Sequence, residues 1–147
     1  MVNLTLSFFD SPAFNGNLFF PRGDTAPTPE NSDEIKVEVE TETFIHIRRH
    51  LLPEARFSLL FFHGNGEIVS DYDNLAGHFN ALGAELIVAD FRGYGRSTGT
   101  PSLRAALEDA HKIFDQLKSN SKLKKKVCVM GRSLGSAPTL ELCAKRS

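Results

Sequence analysis

Gly131-Arg132-Ser133-Leu134-Gly135 is the stretch whose residue types and spacing could do covalent chemistry. A serine hydroxyl is a weak nucleophile until it is exposed, aimed and given a base. Gly-x-Ser-x-Gly supplies the exposure and the aim when a strand runs straight into a helix. The turn is so tight that the flanking residues must be nearly free of side chain, and the serine rides its apex in a strained conformation. The helix that starts there turns its unpaired N–H groups and its positive dipole end toward the same spot. Such a site suits attack on a carbonyl whose oxygen becomes an anion.

Elements able to position this serine are legible on both sides of it. Val127-Cys128-Val129-Met130 is a short apolar, partly β-branched run that reads as a buried parallel strand. Leu134 to Lys145 suits a helix, with Pro138 close to its start, where proline is tolerated. Phe57 to Phe62 is a continuous apolar run, expected to be a central strand. It ends in His63-Gly64-Asn65-Gly66, whose glycines let a backbone N–H face a ligand at the edge of the sheet where ligands bind. Ala84 to Asp90 is the next buried strand and leads into the glycine-rich loop Phe91 to Gly99.

Between these runs lie two helical patterns. Tyr72, Leu75, Phe79 and Leu82 fall at helical spacing, with Gly83 just past the end. A second helix is expected to use Thr100 as its cap and Pro101 as its first residue, burying Leu103, Ala106, Leu107, Ala110, Phe114 and Leu117. Upstream, Ile35, Val37 and Val39 alternate with charged residues and Phe44 to Arg48 continues the β pattern, which suits an antiparallel pair. His46 and His50 lie there, four apart. A metal site needs a third ligand, so they read as edge-strand histidines. Residues 1–34 form an irregular lead-in, with Val2 to Phe9 able to add a strand and Phe14, Leu18, Phe19 and Phe20 lying over the core. The expected fold is α/β, with antiparallel lead-in strands, then a mainly parallel sheet with flanking helices.

Composition excludes several functions. The 147 residues carry a formal net charge of -1 and are 41% hydrophobic, which speaks for a globular domain and against nucleic acid as a partner. No run is long enough to span a membrane. The two cysteines, Cys128 on a strand and Cys143 on a helix, read as small core residues of a reducing compartment, hence a cytoplasmic location. Gly93-x-Gly95-x-x-x-Gly99 comes near a dinucleotide fingerprint. Its spacing is one residue too long, and no acid ends a strand at the distance a ribose contact requires.

The three loops in series, His63 to Gly66, Asp90 to Ser97 and Gly131 to Gly135, closely resemble the N-terminal half of the α/β-hydrolase superfamily. Within it they are similar to the esterase-, thioesterase- and peptidase-like branch with a His-Gly-Asn-Gly loop, over roughly residues 35–147. The resemblance implies that Ser133 is the nucleophile of acyl ester or thioester hydrolysis through an acyl-enzyme, on a small or medium acyl substrate. It implies that Leu134 N–H is one oxyanion donor and Asn65 N–H the other, with Gly64 as second choice. It gives His63, Asp90 and Arg92 structural roles beside the site, with Gly64, Gly66, Gly131 and Gly135 shaping the loops. No metal and no organic cofactor is implied.

Half of the machinery is not found in the chain. After Ser133 the sole acid is Glu141 and there is no histidine, whereas in this fold the acid and then the histidine follow the serine. His46, His50, His63, His78 and His111 all lie upstream on elements that do not lead to the serine. The expectation is a domain, residues 35–147, cut short before its acid and base, with the elbow strand left as an exposed edge and the missing groups supplied by a complementing chain or a C-terminal remainder. The alternative is a non-catalytic hydrolase-like scaffold or interaction module.

Overall fold

The computed structural model describes residues 8–146. Five strands, β1 (Ser32–Glu40), β2 (Thr43–His50), β3 (Phe57–Phe62), β4 (Ala84–Ala89) and β5 (Val127–Gly131), form one sheet in the order β1-β2-β4-β3-β5. β1 and β2 pair antiparallel, β2 joins β4 antiparallel, and β4, β3 and β5 run parallel. This is the expected mixed α/β sheet. Among the described residues α1 (Pro12–Leu18), α2 (Ala76–Ala81), α3 (Leu103–Ser119) and α4 (Ser136–Lys145) accompany it. None of the described helices is long and apolar enough to cross a membrane.

Strand periodicity divides the core in two. Leu60, Phe62, Ile87 and Ala89 share a cluster with Ala106, Ala110, Ile113, Leu117 and Leu142 of α3 and α4. Leu59, Phe61, Leu86 and Val88 lie with Val69, Tyr72 and Ala76 on the other side. Adjacent residues point to opposite faces of a strand, so β3 and β4, covered on both faces, are apolar at every position except Ser58 and Glu85.

Several expectations need correction. The lead-in is not irregular throughout. Ser11 caps α1 by accepting Phe14 N–H at 3.2 Å, with Pro12 in the first turn, and Phe19 is buried while Phe20 is 63% exposed. Phe8 and Phe9 are helical rather than extended, and the rest of the strand expected over Val2 to Phe9 lies outside the described residues. Residues Val69–Leu75 form a 3-10 helix before α2. The tighter winding rotates the apolar stripe, so Tyr72 is buried while Leu75 and Leu82 are exposed. Ser102, not Thr100, caps α3, accepting Ala105 N–H at 3.1 Å. The stripe of α3 shifts with it, to Ala105, Ala106, Asp109, Ala110, Ile113 and Leu117.

His46 and His50 are buried on β2, an inner strand between β1 and β4, not an edge. β5 is half-buried instead of fully buried, because it is outermost among the described strands and pairs on one side only, with β3. Cys143 is exposed on α4 and Cys128 only partly buried, so neither is a full core residue.

Candidate active site

β5 delivers the serine. Its ladder with β3 runs to Gly131 opposite Phe62 and closes with Arg132 N–H donating to Phe62 O at 3.1 Å. The chain then reverses through a single 3-10 turn, Ser133–Gly135, into α4. Ser133 is exposed and has φ 51°, in the left-handed region. A non-glycine residue there costs roughly 1–2 kcal/mol and persists only where its surroundings dictate it. Two close approaches do so. A Cβ on Gly131 would lie 2.1 Å from Gly135 O, and one on Gly135 would lie 2.0 Å from Phe62 O. Both glycines are therefore obligatory, and the serine is forced to the apex.

β3 delivers the facing loop. Residues 64–67 make a turn in which Glu67 N–H donates to Gly64 O at 3.2 Å, with Gly66 at φ 74°. Gly64 N–H is spent on Glu67 Oε2 at 2.5 Å and has no hydrogen left for another acceptor. Among the described residues neither Asn65 N–H nor Leu134 N–H has a hydrogen-bond partner. The Asn65 side chain, by contrast, is held through both its oxygen and its nitrogen. Its Oδ1 accepts from Tyr94 O–H (2.6 Å) and Phe20 N–H (3.0 Å), and its Nδ2 donates to Leu18 O (2.6 Å).

Beneath this loop lies a chain of buried polar groups. His63 is fully buried, with Nδ1 2.8 Å from Gly64 O and Nε2 3.0 Å from Asp90 Oδ1. Asp90 Oδ1 also accepts Val69 N–H, and Oδ2 meets His46 Nδ1 at 3.1 Å. His46 Nε2 bonds in turn to Glu34 of β1. Burial alone would raise the Asp90 carboxyl, but the bonds from His46 and His63 outweigh it and hold the group below the ordinary Asp range. Burial would likewise lower His46, and its two carboxylate partners hold it above the ordinary histidine value. Arg92 forks onto Asp109 of α3 at 2.8 and 2.9 Å and reaches Glu40 at 2.7 Å, which fastens the 91–99 loop to α3 and β1.

The structure thus brings Ser133, Leu134 and the Asn65 turn together at the ends of adjacent strands, with His63 and Asp90 beneath. Among the described residues no histidine bonds to Ser133. His111 pairs with Glu141 at 3.2 Å between α3 and α4, and His78 is exposed on α2. Four participants escaped the sequence. Glu67 binds Gly64, Tyr72 and Arg132; Tyr94 and the Leu18–Phe20 segment hold Asn65; and fully buried Arg48 joins Glu34 and Asp73. Only Glu67, directly after Gly66, left a local signal.

Residues 53–147 match the family described as "Serine aminopeptidase, S33". The chain is 31% identical over 137 residues to Protein bem46 of Schizosaccharomyces pombe, covering 86% of this chain and 46% of that one. It is 35% identical over 99 residues to the α/β-hydrolase domain-containing protein aho-3 of Caenorhabditis elegans, covering 64% of this chain and 29% of that one. It therefore spans less than half the length of either relative. Among solved structures, an esterase of Pyrococcus furiosus superposes with a TM-score of 0.70 at 19% identity, over 87% of this chain and 53% of the esterase, a likeness of fold. Mixed sheet, elbow and family match agree: the chain belongs to the serine aminopeptidase family of the α/β-hydrolase superfamily.

Proposed function

We propose that Ser133 is the nucleophile of a serine hydrolase acting on a small or medium acyl ester or thioester. The observation that carries this reading is the exposed Ser133 at φ 51°, held there by two glycines that admit no Cβ. A scaffold has no use for that strain, whereas a nucleophile does. Ser133 Oγ attacks the acyl carbonyl and passes its proton to a base. The carbonyl oxygen, now an anion, takes N–H bonds from Leu134 and Asn65. The leaving alkoxide or thiolate departs with a proton, and water then cleaves the acyl-enzyme. In this reading the base and its acid partner are groups other than the histidines and Glu141 of this chain, since among the described residues no histidine and no carboxylate bonds to Ser133.

A second reading, a hydrolase-like scaffold without catalysis, is favoured by the lack of any described histidine on Ser133. A fluorophosphonate probe separates the two. We expect weak labelling or none of this chain, and labelling that vanishes in Ser133→Ala when a longer native form is probed. Full labelling of this chain alone would overturn the assignment of the base. Silence of every form would favour the scaffold.

A further inference from the structure

The backbone ladder joining β3 to β5 ends at Arg132 N–H on Phe62 O. Beyond that rung the strands part, one into the Gly64–Glu67 turn, the other into Ser133-Leu134. Both N–H groups that would bind the oxyanion, Asn65 and Leu134, lie past it. Two donors must converge on one oxygen with positions kept to about 0.5 Å, and no rung of the ladder does this. Glu67 spans the gap. Its Oε2 accepts Gly64 N–H at 2.5 Å and Tyr72 O–H at 2.7 Å, and its Oε1 takes the guanidinium of Arg132, the residue before the serine. Glu67 N–H returns to Gly64 O, so the turn is closed from both ends. In such a turn the N–H of the second residue has no internal partner, which leaves Asn65 N–H available. The Glu67 side chain is 22% exposed and that of Arg132 60% exposed. The bridge is therefore anchored on the loop and open on the elbow.

Resting on Ser133 as the nucleophile, we infer that Glu67 is a positioning residue: it sets the spacing of the two oxyanion donors by cross-linking the Gly64 turn to Arg132 of the elbow. It touches neither the acyl group nor the serine hydroxyl. A residue of this kind acts on the transition state and not on substrate binding, so its loss lowers kcat and leaves KM in place.

The test uses the full chain in its longest expressed form with Glu67→Ala, Glu67→Gln and Arg132→Gln. It reads p-nitrophenyl ester hydrolysis together with amide nitrogen–proton spectra. Glu67→Ala is expected to lower kcat about 10–100-fold, short of the full loss of a donor, with KM within about twofold. Glu67→Gln, which still accepts Gly64 N–H, recovers part of that. Arg132→Gln cuts the bridge at its exposed end without disturbing the core and lowers kcat about 3–10-fold. In all three variants the Asn65 and Leu134 amide resonances move together. An unchanged kcat beside a lowered melting temperature would overturn the proposal, as would an Asn65 shift with Leu134 still. A wild type that neither hydrolyses ester nor takes a fluorophosphonate would refute the nucleophile reading instead, and the paired amide shifts would still decide what Glu67 does.

Discussion

An added methyl at Gly135 would sit 2.0 Å from Phe62 O and 2.7 Å from His63 O, both backbone atoms that cannot step aside. Gly77, on α2, has nothing within 4 Å of its would-be Cβ. The same substitution should therefore act in opposite directions. Gly135→Ala is expected to cost about 2–3 kcal/mol and lower the melting temperature by roughly 4–12 °C. Gly77→Ala, in the first turn of α2 where the helix follows directly on the 3-10 turn, should raise stability by up to about 0.5–1 kcal/mol. Differential scanning calorimetry of the pair checks both. The elbow is readable from sequence because its two glycines and its serine fall within five residues, although only the Gly131 approach to Gly135 O is local and Gly135 itself is demanded by Phe62 O. The Glu67–Arg132 bridge was not readable, since its partners are 65 residues apart and either side chain alone is an ordinary surface charge.

Elements declared themselves through period and lost definition at their ends. β3 and β4 are apolar at nearly every position because helices cover both faces, and that signal survives in the sequence. Helix starts depend on one hydroxyl. Thr100 and Ser102 are both plausible caps on either side of Pro101; the structure uses Ser102, whose Oγ accepts Ala105 N–H. Ser102→Ala should cost about 1 kcal/mol, and Thr100→Ala should stay within about 0.5 kcal/mol of wild type; urea denaturation midpoints decide. The helix after the His-Gly-Asn-Gly loop was placed correctly but wound tighter at its start, because spacing of three and four residues does not separate a 3-10 turn from an α turn over one repeat. The apolar run of β5 reads as a buried strand and its place in the chain as an exposed edge, and the half-buried strand lies between the two.

Over the whole molecule, one polar chain passes from β1 through β2 to both loops beneath the serine: Glu34, His46, Asp90, His63. Groups facing His46 are Glu34 and Asp90, with Arg48 and Arg96 on Glu34. His46 is held above its ordinary value of 6.5. Its contribution is present in full below pH 6.5 and is lost as pH rises through the elevated folded value. Glu34 is pulled down to about 2, burial being outweighed by Arg48, Thr28 and His46. Its contribution is present above its unfolded value of 4.5 and is lost as pH falls toward 2. Stability should therefore peak between about pH 5 and 6.5. In denaturant titrations across pH, His46→Gln should flatten the alkaline limb and Glu34→Gln the acid limb. An unchanged alkaline limb in His46→Gln would refute the assignment. None of this was legible beforehand: charged residues on β1 read as a solvated face, and only the sheet order set His46 over Asp90.

The N-terminal segment also carries a consequence in time. Leu18 and Phe20 are held by Asn65, Phe20 by Tyr94 as well, and Asn15 by Leu103 N–H at a separation of 88 residues. At about 5–20 residues per second on a ribosome, those partners are synthesised roughly 2–18 s after the segment itself. Phe14 and Phe19 wait out that interval without the chain that will seat them, so this segment settles only after the loops it rests on have been made.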